Sequence, residues 1–184
     1  GRISNTPAEE ISYRSYWEGD NLILKVEGKM REASIFHENL VLHRTITSQG
    51  GESKLVIEDK IENQGYEDSP LMLLYHMNLG FPLISEESRL VAPILHTLPR
   101  DEEAQKGIED FERFEAPTAG YKEQVFFHTV ARDKEGNTCA GIINESMNLG
   151  FYIRYNYNQL PFLTQWKMMG SQDYVVGLEP GNCI

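Results

Sequence analysis

Positive charge is scarce in this chain. Seventeen Lys and Arg stand against 28 Asp and Glu, for a net charge of −11. That balance argues against nucleic acid as a partner, because phosphate backbones attract clustered cations. It argues equally against an anionic membrane surface. Cysteine is nearly absent. Cys139 and Cys183 stand far apart in sequence and offer neither a metal-binding spacing nor a disulfide framework. The expectation is free thiols in a reducing, cytoplasmic setting. Long apolar runs are missing too, and the longest are strand-sized. The first residues, Gly1-Arg-Ile-Ser-Asn, lack a basic region followed by an apolar one, so no signal peptide is expected. No Gly-x-Ser-x-Gly elbow, phosphate loop or Gly-x-Gly-x-x-Gly occurs.

What is present is alternation. Residues 22–27, 40–47 and 54–62 alternate apolar and polar positions, as do 123–130, 139–144, 150–157 and 173–178. Turn signals separate them, among them Glu18-Gly-Asp-Asn, Gln49-Gly-Gly and Lys134-Glu-Gly-Asn. Many short strands with polar turns predict an all-β antiparallel sandwich or barrel. A length of 184 residues suits one core and is too short for two comfortable domains. Helix signals are thin. Residues 101–115 are rich in charge but interrupted by Gly107, and read as a long exposed loop over a cleft.

Two strand ends carry chemistry-bearing groups. Leu71-Met-Leu-Leu-Tyr-His76 reads as an apolar strand closed by an imidazole. Tyr174-Val-Val-Gly-Leu-Glu179 reads as a β-branched strand closed by a carboxylate, with Pro180 and Gly181 stopping it. A Glu and a His so placed suit a general base and a general acid. The residues alone leave open whether they are ordinary loop-edge groups. The other histidines, His37, His43, His96 and His128, form no His-x-His or His-x-x-x-His pair, so no zinc site is signalled. His128 closes an aromatic strand and faces either a core or a cleft. The nine tyrosines suit sugar stacking, but sandwich cores and strand surfaces use them as well.

Tyr75-His76-Met-Asn78-Leu-Gly-Phe-Pro resembles the histidine motif of aldose 1-epimerases (mutarotases). Gly177-Leu-Glu179-Pro-Gly-Asn resembles their C-terminal glutamate motif. Asn5-Thr-Pro-Ala8, Glu32-Ala-Ser-Ile-Phe, Glu123-Gln-Val-Phe-Phe-His128 and Trp166-Lys-Met-Met follow the order seen in the DUF4432-type branch of the galactose mutarotase-like superfamily. The resemblance covers nearly all of the chain. It implies a single antiparallel β-supersandwich domain that binds a monosaccharide or sugar derivative. It implies His76 as the acid at the ring oxygen and Glu179 as the base at the anomeric hydroxyl, with no metal and no cofactor. Glu123, with Gln124, falls where the family binds sugar hydroxyls, commonly with Asp. Trp166 and Lys167 fall near a cleft-lining strand, and Asn78 suits a hydroxyl or loop contact. The resemblance also places Gly1 at a family His-Gly pair, so the chain resembles the C-terminal part of a longer domain. A non-catalytic carbohydrate-binding module is the alternative on the same sandwich.

Overall fold

The computed structural model describes residues 6–184. Gly1 and Asn5, singled out above, lie outside the described residues. The chain divides into two compact units, Gly1–Leu71 and Met72–Ile184. All pairings between the named strands are antiparallel. The all-β expectation matches the structure: among the described residues, twelve strands accompany one five-residue helix.

The first unit is a four-stranded meander of β1 (Ala8–Glu18), β2 (Asn21–Ala33), β3 (Asn39–Gln49) and β4 (Val56–Asn63). The pairings Val26–Ile46 and Ile46–Ile57 line up apolar side chains on one face. Arg44 sits on that same face and grips Asp59 in a two-pronged pair at 2.8 and 2.7 Å. β1 is a strand the sequence reading did not include; its residues are nearly all exposed, and the pattern is correspondingly polar.

The second unit holds two sheets. One runs β10 (Leu149–Asn156), β9 (Asn137–Asn144), β6 (Ser88–Val91). The other runs β5 (Met77–Gly80), β12 (Tyr174–Gly181), β11 (Phe162–Met169), β8 (Gln124–Val130), β7 (Ile94–Pro99). They share a core: Leu90 and Ile142 from the small sheet meet Met169, Val176 and Leu178 from the large one, with Ile84 and Phe114 between elements. Sheet against sheet with interdigitated side chains is sandwich packing.

Three expectations are corrected here. The strand expected to end at His76 instead begins just after it, at Met77. The segment before it forms only an isolated bridge at Leu74. Pro180 does not stop β12, which continues through Gly181. Proline has no N–H to give the ladder but keeps its acceptor, and the Pro180 carbonyl accepts the Tyr75 amide at 3.0 Å. Residues 101–115 are not simply an exposed loop. Asp101 caps the helix α1 (Glu102–Lys106) by accepting from the Ala104 amide, and Ala104 and Phe114 are buried.

The core face of the large sheet carries polar residues that the apolar pattern hides. Gln165 donates through Nε2 to the Phe111 carbonyl at 2.8 Å, which leaves Oε1 facing His128 Nε2 at 3.1 Å. His128 Nδ1 then accepts from the Thr97 hydroxyl at 2.9 Å. This chain fixes a neutral imidazole with its proton on Nε2.

Burial pushes the His128 imidazole down to about 4. An unfolded imidazole takes up its proton near 6.5, the folded one only near the lower value. Stability is therefore full above the unfolded value and is lost as pH falls through the folded one, by up to roughly 3 kcal/mol. Melting temperatures read by calorimetry from pH 7.5 to 4.5 test this. His128→Asn melts lower than wild type at pH 7.5 but loses less on acidification; an equal loss would discard the assignment.

Candidate active site

The outward face of the large sheet is set by strand parity, since successive side chains point to opposite sides. On β12, Leu178 enters the core while Gly177 and Glu179 face outward. Gly177 pairs with Trp166 on β11 and with Asn78 on β5. Trp166 pairs in turn with Val125 on β8. Glu123 is two residues before Val125 and shares its side. His76 lies one residue before β5. His76, Arg100, Glu123, Val125, Trp166 and Glu179 line a cleft of about 270 Å³.

Glu179 is buried to 5% exposure at the floor of this cleft. Its Oε1 lies 3.0 Å from His76 Nε2, whose ring is 44% exposed. The distance is that of an ion pair, but the ring N–H is not aligned on the oxygen, and Oε1 has no hydrogen-bond partner. Few buried carboxylate oxygens in proteins lack an aligned donor. Burial holds the Glu179 carboxyl above the usual carboxylate range, against the weaker opposing pull of His76. The indole of Trp166 meets His76 edge to face, with ring centroids 5.7 Å apart.

The other half of the cleft is saturated. Glu123 accepts from Arg100 Nη2 at 2.9 Å through one oxygen and from Trp166 Nε1 at 2.8 Å through the other. Arg100 Nε also donates to Asp101 at 2.8 Å. Arg100 and Trp166 together hold the Glu123 carboxyl below the usual range. Sequence reasoning missed Arg100. It follows directly on β7, in Leu98-Pro99-Arg100-Asp101, and no local pattern marks it.

The structure brings His76, Glu123, Trp166 and Glu179 to one cleft. It places Asn78 on the same face, one strand out, exposed and away from the cleft lining. Gln124 and Lys167 turn the other way. Each is adjacent to a cleft residue and so must project from the opposite side of its strand. Gln124 is buried and donates to the Glu103 carbonyl at 3.3 Å. Lys167 is fully buried, with Nζ 2.8 Å from Glu115 Oε2.

A larger groove of about 560 Å³ in the first unit lies between residues 34–39 and 63–70. Its amides are spent on the loops themselves. Arg31 donates to Asn39 at 2.7 Å and to Gln64 at 3.0 Å, and Asn63 accepts from the Gly65 amide at 2.9 Å. Among the described residues no cluster of three or more His, Cys, Asp or Glu could hold a metal ion, and no helix is long and apolar enough to cross a membrane.

The antiparallel sandwich has the fold of an aldose 1-epimerase-like protein. The crystal structure of a putative aldose 1-epimerase from Klebsiella pneumoniae subsp. pneumoniae MGH 78578 superposes with a TM-score of 0.95 at 26% identity. The match covers 100% of this chain and 48% of that protein, so the chain spans about half its length. More specifically, the chain belongs to the DUF4432 family, a domain of unknown function, whose profile matches residues 1–184. A comparison with curated proteins found no match.

The raised Glu179 carboxyl has a consequence for stability. A carboxyl raised on folding stabilises the native state at low pH, and that contribution is lost as pH rises through its folded value. Glu179→Gln carries no such proton. The difference in melting temperature, variant minus wild type, therefore grows between pH 4 and pH 7. A flat or shrinking difference would show that the carboxylate is not held at a cost.

Proposed function

We propose that this protein interconverts the α and β anomers of a free aldose by general acid–base catalysis. The observation that carries the reading is the unpartnered, buried Glu179 oxygen facing the His76 ring nitrogen at 3.0 Å. A general base must be basic enough to take a proton, and the burial that raises the Glu179 carboxyl makes it more so.

In this reading the sugar's anomeric centre enters between the two groups and replaces their mutual contact. Glu179 takes the proton of the anomeric hydroxyl as the bond from the anomeric carbon to the ring oxygen breaks. The ring oxygen takes a proton from His76. The product is the open-chain aldehyde, with one proton gained by the carboxylate and one lost by the imidazolium. Rotation about the bond next to the aldehyde and reversal of the same transfers close the ring as the other anomer. Trp166 and Val125 supply the apolar wall, and an indole face suits the C–H side of a pyranose. Glu123 and Arg100 are read as hydroxyl partners at the cleft edge, with Asn78 further out. The likeness to the Klebsiella protein supports the fold of this reading.

Polarimetry on a panel of freshly dissolved aldoses, against the spontaneous rate, is the measurement. Glu179→Gln and His76→Asn each lower kcat by about 10²–10⁴-fold while sugar binding stays close to wild type. The wild-type rate falls on the acid side, as pH drops through the raised Glu179 value and the base becomes protonated. Turnover by Glu179→Gln at the wild-type rate would end the catalytic reading and leave a carbohydrate-binding module.

A further inference from the structure

We propose that Gly177 is a positioning residue, whose missing side chain is what allows Glu179, His76 and Trp166 to occupy one cleft. The inference rests on the acid–base reading above and names a residue that reading does not use.

Gly177 lies inside β12, paired on one side with Trp166 and on the other with Asn78. Its backbone is not in the left-handed region that favours glycine; the positive-φ glycines are Gly19, Gly51, Gly120 and Gly136. Conformation therefore does not require glycine here. Glycine inside a strand is less stable than alanine, and its presence often marks a close approach by another group. The group is identifiable. A Cβ built on Gly177 would overlap Glu179 Oε1, and would stand 3.2 Å from Trp166 Cβ and 3.3 Å from His76 Cε1. The three nearest neighbours of the absent atom are the base, the wall and the acid.

The geometry follows from the sheet. Glu179 is two residues further along the same strand, so its side chain rises on the same face as Gly177. With no side chain at 177, the carboxylate can lie back over the backbone and bring Oε1 within 3.0 Å of His76 Nε2. A methyl group at that point drives the carboxylate away, because the free end of the Glu179 side chain shifts more easily than Trp166 Cβ, which is anchored to its own strand. Gly80 on β5 provides the contrast: a Cβ there meets only the Tyr174 carbonyl at an ordinary 3.5 Å.

Gly177→Ala is the test, with Gly80→Ala as its control. A crystal structure of Gly177→Ala is expected to show His76 Nε2 and Glu179 Oε1 separated beyond ion-pair reach. In polarimetry, kcat falls by about 10²-fold, the usual penalty of a 1 Å misplacement. KM stays within about twofold, since the loss falls on the transition state rather than on ground-state binding. Gly80→Ala keeps the wild-type kcat. An unchanged His76–Glu179 contact, or a wild-type kcat in Gly177→Ala, overturns the proposal. If Gly177→Ala fails to fold, the double variant with Glu179→Asp withdraws the carboxylate from the new methyl; recovery of folding supports the proposal and continued failure overturns it. A wild type that accelerates no aldose removes the proposed function alone, and the crystal structure of Gly177→Ala then still decides the positioning claim.

Discussion

Everything at the cleft depends on the two-sidedness of the five-stranded sheet. On β8, β11 and β12 one parity of residues builds the core and the other builds the site. Gln124, Gln165, Lys167 and Leu178 go inward, while Glu123, Trp166, Gly177 and Glu179 go outward. A one-residue slip of any strand would exchange the two sets. The core face resists such a slip with polar as well as apolar contacts. The Thr97–His128–Gln165–Phe111 chain ties β7, β8 and β11 to the loop before β8, and Lys167 ties β11 to Glu115 on that loop. Each contact needs a specific partner, so it penalises wrong registers more sharply than a Leu-on-Leu contact does. Buried polar groups that each have a specific partner favour one arrangement over its alternatives.

Much of this was legible from sequence, and the parts that were not share a cause. Period-two alternation identified β2, β3, β4, β8, β9, β10 and β12; in β8 the aromatic and β-branched run Val125-Phe-Phe marks the strand although Gln124 and His128 lie on its core face. β11 reads Phe-Leu-Thr-Gln-Trp-Lys-Met-Met, and two of its core-face residues are Gln165 and Lys167. Polar residues on the buried side erase the pattern that reveals a strand. β6 has only four residues, and β7 is six residues long and ends in Pro99, so neither carries enough alternation to be seen. The helix α1 announced itself only by its cap at Asp101, which is a single residue.

The site divides in the same way. His76 and Glu179 were legible because each sits at a break in an apolar run. Gln124 and Lys167 were grouped with Glu123 and Trp166 because they adjoin them in the chain, and adjacency in a strand means opposite faces. Motif neighbours on a helix or a loop can share a pocket; on a strand they cannot. Arg100 was invisible for a different reason. Its importance comes from whom it meets, Glu123 across the sheet, and a pair separated by 23 positions leaves no local trace.

Within the cleft, hydrogen bonding sets the two carboxylates apart. Glu123 has a donor on each oxygen and a lowered carboxyl, so it is stable as it stands and orients the indole beside it. Glu179 is the more deeply buried of the two carboxylates, its carboxyl is raised, and one oxygen lacks a donor. Folding gains nothing from leaving that oxygen bare, since an unpaired buried acceptor destabilises by about 1–3 kcal/mol. A donor supplied by a ligand removes the penalty, and in the proposed function a sugar hydroxyl is that donor. The groove in the first unit fails the same test: its amides donate and accept within their own loops, so a ligand there would have to break bonds in order to make them. Volume favours that groove and chemistry favours the smaller cleft. The proposed function rests on the chemistry, because an unpaired group gains a hydrogen bond on binding without first losing one.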